Sequence, residues 1–211
     1  MSTDAPATGM RLLPEFLAPE QQRRLLADVR EVLGQAPLYG PVMPRSGSPY
    51  SVRMSNCGPL GWVSDRDGYR YSPVHPVSRA PWPKIPAVVL AVWHATTGVA
   101  YPPEACLINY YGPQAKLGLH RDEDEDAREA PILSISLGDT AIFRLGGPER
   151  RSPTKSLRLA SGDVLVLSGP SRTWFHGVDR ILPGTSRLLT EGGRINLTLR
   201  RVTVPRAHDL A

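Results

Sequence analysis

The sequence predicts a mainly β protein with flanking helices, built on a double-stranded β-helix (jelly-roll) core. Two observations carry that expectation. Glycine (19) and proline (22) are scattered through 211 residues without a repeat period, which favours frequent turns over long helices. Seven short runs rich in β-branched or aromatic residues then crowd the second half, divided by Gly, Pro or Asp-Gly-like breaks, as the strands of a sandwich or barrel are.

Taken in order, residues 1–10 read as a loose tail. Pro19 to Gly34 places Leu25, Leu26, Val29, Val32 and Leu33 at helical spacing with charges elsewhere, so one amphipathic helix is expected there. Residues 37–83 look irregular, yet they carry Tyr39, Tyr50, Met54, Trp62, Tyr69, Tyr71 and Trp82. So many large side chains in a turn-rich segment suit a lid that lines or covers a binding surface; rings that merely pack loops onto the core are the equal alternative. Pro86 to Thr97, with Gly98 beyond it, suits a second helix. The expected strands are Ala105–Tyr111, Ile132–Leu137, Thr140–Leu145, Ser156–Leu159, Asp163–Ser168, Trp174–Val178 and Arg194–Arg201. This gives a single domain over 1–211, with a core over 105–201 and no internal repeat.

Composition removes several classes. At 41% hydrophobic and 21% charged, most of the chain is too apolar to stay disordered. The longest uncharged stretch, Ile85 to Pro103, is broken by Pro86, His94, Thr96, Thr97 and Pro102, so it lacks the roughly 20 continuous apolar residues of a spanning helix. No membrane partner is expected. No cationic segment followed by an apolar run opens the chain, so no secretory signal is expected. With only Cys57 and Cys106 present, a reducing cytoplasm is the expected location. No heptad pattern points beyond a monomer.

The net charge of +5 hides an asymmetry, because His120 to Glu129 holds six acids and two arginines. From Ala141 onward twelve Lys or Arg stand against five Asp or Glu, enough to neutralise several phosphates. The competing explanation is compositional, since 22 of the 25 basic residues are Arg.

Chemistry concentrates at three places. His120-Arg121-Asp122 follows a strand-like KLGL, and alternation turns residues two apart to one side, so His120 and Asp122 converge. His176, 56 residues later in TWFHGV, supplies a third ligand. Two imidazoles and one carboxylate on one face of an octahedron form the facial triad of non-haem Fe(II) oxygenases, with open positions for a bidentate cosubstrate and dioxygen. By itself, His-x-Asp is weak, and His176 also suits a core histidine; His75, His94 and His208 lack a comparable setting and read as structural. Near the C-terminus, Arg194, Asn196, Thr198 and Arg200 share one strand face while Ile195, Leu197 and Leu199 take the other. If the polar face points inward, two buried guanidiniums require carboxylate partners, which a dicarboxylate cosubstrate would satisfy. A solvent-facing strand with ordinary alternation is the alternative. Asn109 and Tyr111 likewise share a face, where an amide and a phenol would complete a carboxylate site.

Together, SNCGPLGW, GYRYSP, LINYYGPQAKLGLHRDEDE, ILSISLGDTAIFRLGG, GDVLVLSGPSRTWFHGV and RINLTLR resemble the AlkB family of Fe(II)/2-oxoglutarate dioxygenases that repair alkylated nucleic acid. The resemblance runs from about Tyr50 to Arg201. It implies that His120, Asp122 and His176 hold Fe(II) and carry the catalytic centre. It implies that Arg194, assisted by Tyr111, pairs with the distal carboxylate of 2-oxoglutarate, that Arg200 and Asn109 contact the end nearer the metal, and that Asn196 lines the same pocket. Dioxygen is the second cosubstrate, and N-methyl groups on 1-methyladenine or 3-methylcytosine leave as formaldehyde. The target base must be unpaired or flipped out, with Trp62 and His120 implied as its stacking partners and Asp124 as the acceptor for its exocyclic amine. Met54 belongs to the same recognition surface, and Tyr69, Ser51, Lys116 and Arg150 are implied phosphate contacts. The remaining acids of the run are expected to be solvated. Arg121 and Tyr110 depart from the bacterial pattern, which has Gln and Arg there. The implied partner is single-stranded nucleic acid, DNA in the first place and RNA in the second. Two alternatives remain: an Fe(II)/2-oxoglutarate hydroxylase of a protein or small molecule, and a non-catalytic nucleic-acid-binding β-sandwich.

Overall fold

A computed structural model describes residues 8–206 and 209. In chain order the strands are β1 (Met10–Leu13), β2 (Val52–Cys57), β3 (Gly61–Asp65), β4 (Gly68–Ser72), β5 (Ala105–Tyr111), β6 (Leu117–His120), β7 (Ile132–Gly138), β8 (Thr140–Leu145), β9 (Lys155–Leu159), β10 (Val164–Leu167), β11 (His176–Leu182) and β12 (Arg194–Arg200). Helix α1 (Pro19–Gln35) lies between β1 and β2, and α2 (Ala87–Thr97) between β4 and β5. Six strands form one sheet in the order β1-β10-β7-β12-β5-β2, four form a second in the order β6-β11-β8-β9, and β3 and β4 make a separate hairpin. The pairings are antiparallel.

Both expected helices form for local reasons. Pro19 occupies the first turn of α1, and the Gln21 side chain accepts a 2.8 Å hydrogen bond from the Ala18 amide, closing the helix start. Its Leu25, Leu26, Val29 and Val32 are buried. Helix α2 ends at Gly98, whose φ of 73° is the left-handed conformation that stops a helix. Trp93 of α2 is fully buried, with Nε1 donating to Tyr101 O at 2.9 Å.

The alternation in β12 divides the interior. Ile195, Leu197 and Leu199 join Leu133, Ile135, Val29 and Trp93 in one apolar cluster beneath the helices. Leu107, Tyr111, Ile132, Phe143, Leu165 and Val178 form a second cluster, and much of it borders a cavity between the two sheets that β12 faces with Arg194, Asn196, Thr198 and Arg200.

Four strands fall outside the sequence expectations. Met10 begins β1 rather than ending a tail, and residues 1–7 and His208 lie outside the described residues. The stretch expected to be irregular contains β2, β3 and β4. Strand β2 buries five of its six residues, polar Ser55 and Asn56 among them, so its sequence does not mark an outer face. Strand β11 starts at His176, two residues later than expected, and runs to Leu182, since Gly169–Thr173 forms a 3-10 turn just before it.

Candidate metal and cosubstrate site

Strands β6 and β11 bring the two distant histidines together, because His120 and His176 are direct register partners. Close pairing there requires glycine at 177: a Cβ on Gly177 would lie 2.6 Å from Leu117 O and 2.9 Å from Gly118 O. The imidazole centroids stand 4.6 Å apart, and one ligand atom from each of His120, Asp122 and His176 falls within 4.8 Å of the others. His120 Nε2 is 3.9 Å from Asp122 Oδ1, and His176 Nε2 is 3.8 Å from Asp122 Oδ2.

Backbone carbonyls orient both rings. Nδ1 of His120 lies 2.9 Å from Gly118 O, and Nδ1 of His176 lies 3.0 Å from Trp174 O. A carbonyl only accepts, so each Nδ1 carries the proton and each Nε2 lone pair faces Asp122. Burial, reinforced by the neighbouring His120, pulls the His176 pKa down to about 4, so His176 is a neutral imidazole near pH 7. Burial pushes the Asp122 carboxyl up, but Arg200 and the two imidazoles outweigh it and hold the group well below the usual carboxylate range. The donor set is therefore two imidazole nitrogens and one anion, the ligand types a divalent metal takes.

The other end of the cavity is built for an anion. Arg194 is 1% exposed, and among the described residues its guanidinium donates only to neutral acceptors, Leu159 O at 3.0 Å and Ser136 Oγ at 2.7 Å. Among the described residues its Nε is buried without a hydrogen-bond partner, as is Asn109 Oδ1. Burial lowers the Arg194 pKa to about 10 and raises that of Tyr111, its register partner, to about 12. Both groups thus keep their protons and can donate to a carboxylate. Arg200 differs, for it already pairs with Asp122 at 2.9 Å and with Glu125 at 3.3 Å. Asn196 donates to Ser134 Oγ at 2.7 Å and Ile135 O at 3.1 Å while accepting from Thr198. A buried cation without a counter-anion is unfavourable unless a ligand supplies one, so these residues fit 2-oxoglutarate. The cavity, about 480 Å³, also reaches Trp62, Tyr69, Asp124 and Met54 at its far side.

There the β3–β4 hairpin meets the loop that follows β6. Trp62 Nε1 donates to Asp124 Oδ2 at 2.8 Å, and its ring stacks on Tyr69 at 5.6 Å. Met54 is buried on β2 with its side chain on the cavity wall. The Ser51 hydroxyl is committed to Lys116 O at 2.8 Å, which pins the turn before β6. Arg150 and Arg121 both lie over the Phe175 ring, at 5.8 and 5.2 Å, on the cavity rim.

The 2OG-Fe(II) oxygenase superfamily model matches residues 9–200. The "Alpha-ketoglutarate-dependent dioxygenase AlkB homolog" of Caulobacter vibrioides (strain NA1000 / CB15N) is 51% identical over 193 residues, covering 92% of this chain and 87% of the relative. The corresponding AlkB of Escherichia coli (strain K12) is 44% identical over 199 residues, covering 92% and 91%. The chain belongs to the AlkB family. The solved structure of OsALKBH1 superposes with a TM-score of 0.78 at 33% identity, covering 92% of this chain and 97% of that one. Like its AlkB relatives the protein is an Fe(II)- and 2-oxoglutarate-dependent dioxygenase that consumes dioxygen, and its fold is the mainly β architecture expected from the sequence.

One expectation fails and reveals a residue missed in the sequence. Glu125 is not a solvated member of the acidic run: it is 3% exposed, with Arg172 Nη2 at 3.0 Å and Arg200 Nε at 3.3 Å. The Tyr71 hydroxyl also donates to it. Arg172, itself buried, donates to Ala130 O and to Asp122 O. Two paired cations make burial of this carboxylate tolerable, and no spacing in the sequence links it to Arg172, 47 residues away.

Proposed function

We propose that this protein removes N-methyl groups oxidatively from alkylated bases, 1-methyladenine and 3-methylcytosine, in single-stranded DNA, with RNA as the second substrate. The observation that carries the proposal is a single cavity with three parts: the His120–Asp122–His176 cluster, the buried guanidinium of Arg194 with its Nε unbonded among the described residues, and an aromatic and acidic rim at Trp62 and Asp124. Relatives support the substrate class, among them a "tRNA demethylase abh1" of Schizosaccharomyces pombe, 34% identical over 53% of this chain. A "DNA N(6)-methyladenine demethylase ALKBH1C" of Arabidopsis thaliana, 32% identical over 92% of it, points the same way.

His120, Asp122 and His176 would hold Fe(II). Arg194 and Tyr111 would bind the distal carboxylate of 2-oxoglutarate, with Asn109 and Asn196 lining its bed. The bound iron and cosubstrates supply an oxidation that converts 2-oxoglutarate to succinate and carbon dioxide and hydroxylates the methyl group, which leaves as formaldehyde. The chain contributes position and dryness. Arg194 fixes one end of the cosubstrate by charge-assisted hydrogen bonds inside an apolar wall of Leu107, Ile132 and Leu165. Arg200 holds Asp122 ionised and oriented. Trp62 would stack on the extrahelical base opposite His120, recovering roughly 1–3 kcal/mol of the unstacking cost. Asp124 would accept from the exocyclic amine and favour a cationic lesion; meeting the base requires it to share or exchange its bond from Trp62. Residues 37–83 would supply the recognition lid over the 105–201 core of one domain, and Tyr69, Lys116 and Arg150 would fix the strand through phosphates, with Ser51 joining them only by exchanging its bond to Lys116 O.

A monomer in the cytoplasm is the proposed setting, and the reducing compartment is supported by two free, buried thiols at Cys57 and Cys106. Among the described residues no helix is long and apolar enough to cross a membrane. The deciding experiment incubates the protein with a methylated oligonucleotide, fresh Fe(II), ascorbate and 2-oxoglutarate, and measures formaldehyde and succinate. Both should form in equal amounts and disappear in His120→Ala. Succinate at background level with every methylated strand would overturn the proposal.

A further inference from the structure

One cross-strand pair ties the hairpin to the metal-binding loop. Trp62 on β3 and Tyr71 on β4 are register partners, and they reach consecutive acids: Trp62 Nε1 donates to Asp124 and the Tyr71 hydroxyl to Glu125. Burial, with Glu125 adding to it, pushes the Tyr71 pKa well above its ordinary value, so the phenol remains a donor. From Glu125 the contacts continue inward, through Arg200 at 3.3 Å to Asp122 Oδ2 at 2.9 Å. A second branch runs from Glu125 through Arg172 to the Asp122 carbonyl, at 3.0 and 3.2 Å. Glu125, Arg172 and Arg200 are each less than 7% exposed, so little solvent screens the charges along this route.

The two tethers are unlike. Asp124 is exposed and lies where a base would enter, so its bond to Trp62 is open to exchange. Glu125 is enclosed, and any shift of Tyr71 must be answered by rearrangement of a carboxylate shared with Arg200. Two charges of each sign, from Asp122, Glu125, Arg172 and Arg200, balance inside the network, which favours one joint arrangement over partial ones.

We propose that Glu125 is a positioning residue that links the seating of the β3–β4 hairpin to the seating of Asp122 and Arg200, so that nucleic acid and 2-oxoglutarate bind with positive coupling through the Tyr71–Glu125–Arg200 contact. The inference rests on the proposed nucleic-acid substrate. Linkage makes the effect reciprocal: the factor by which an oligonucleotide tightens 2-oxoglutarate equals the factor by which 2-oxoglutarate tightens the oligonucleotide.

The test needs no turnover. With Mn(II) in place of Fe(II), 2-oxoglutarate is titrated calorimetrically into the protein, with and without a saturating methylated single-stranded oligonucleotide. The wild type should bind 2-oxoglutarate about 5-fold or more tightly when the strand is present. Tyr71→Phe, which deletes one hydroxyl and leaves Glu125 with both arginines, should reduce that factor to below 2. Glu125→Gln should also abolish the coupling and weaken 2-oxoglutarate alone, since Arg200 then faces Asp122 without its second acid. A wild-type factor of 1 despite tight strand binding, or an undiminished factor in Tyr71→Phe, would overturn the linkage and leave the proposed function standing. Failure of the wild type to bind any methylated strand in the same cell would overturn the proposed function and the linkage together.

Discussion

Arg194 and Arg200 occupy the same face of β12, six residues apart and both at most 6% exposed. They nevertheless live in opposite electrostatic surroundings. Arg200 is spent on the protein's own acids, Asp122 and Glu125, whereas Arg194 touches a carbonyl and a hydroxyl and leaves Nε unbonded. Their pKa values separate accordingly: burial lowers both, but the nearby acids, Asp122 first, carry Arg200 above the usual arginine value, while Arg194 remains depressed at about 10. Buried guanidiniums of one strand can therefore serve two ends, one to complete the fold and one to remain open for an incoming anion.

Identical substitutions sharpen the contrast. Arg200→Met leaves the buried Asp122 carboxylate without its cation, while Glu125 keeps Arg172, so it should destabilise the metal-free protein by about 3–5 kcal/mol, or roughly 10 °C in Tm for a domain of this size. Arg194→Met removes a cation that has no acid at ion-pair distance among the described residues, Asp163 acting on it only from farther away, and replacing such a group by an apolar side chain of similar volume should leave Tm unchanged or raised. Equal losses in the two variants, read by calorimetry, would mean that both guanidiniums hold the fold alike.

The order reverses for the cosubstrate. Losing the charge-assisted bonds of Arg194 should raise the 2-oxoglutarate requirement by about 100-fold, and 2-oxoglutarate should cease to raise Tm in that variant while still doing so in the wild type. Steady-state titration and thermal shift check both statements.

Acid should act first at the Arg200 end, through His176. Its folded pKa of about 4 lies below the ordinary 6.5, so the unfolded chain takes up a proton that the folded one refuses. The stability this group contributes is therefore complete above about pH 6.5 and is lost as pH falls toward 4. In the metal-free protein His176→Gln should flatten the fall of Tm across that window. The smallest effect belongs to a third, exposed guanidinium: Arg150→Ala should weaken oligonucleotide binding modestly and reduce its salt slope by about one, leaving 2-oxoglutarate affinity as it was.

The two arginines also show where sequence reading stops. Alternation in RINLTLR placed both on one face, and the jelly-roll strands from β5 onward were legible as short runs rich in β-branched or aromatic residues divided by Gly, Pro or Asp-Gly-like breaks. Strand β2 was hidden by burial on both sides, and β3 and β4 by the Gly, Pro and Ser around them. The three residues of the metal cluster, and their approach to one another, were readable from residue chemistry and family motif together. What separates Arg194 from Arg200 was not readable, because the difference lies in Glu125 and Arg172, acidic-run and turn residues that meet only after the chain has folded.

The glycine at position 177 has a consequence for the inorganic chemistry. Its missing methyl lets one strand lean on the carbonyls of Leu117 and Gly118, and so it acts as the spacer that fixes the bite of the two imidazoles. Gly177→Ala would wedge the ligand cage wider and loosen its grip on a small divalent ion before disturbing anything that touches the nucleobase.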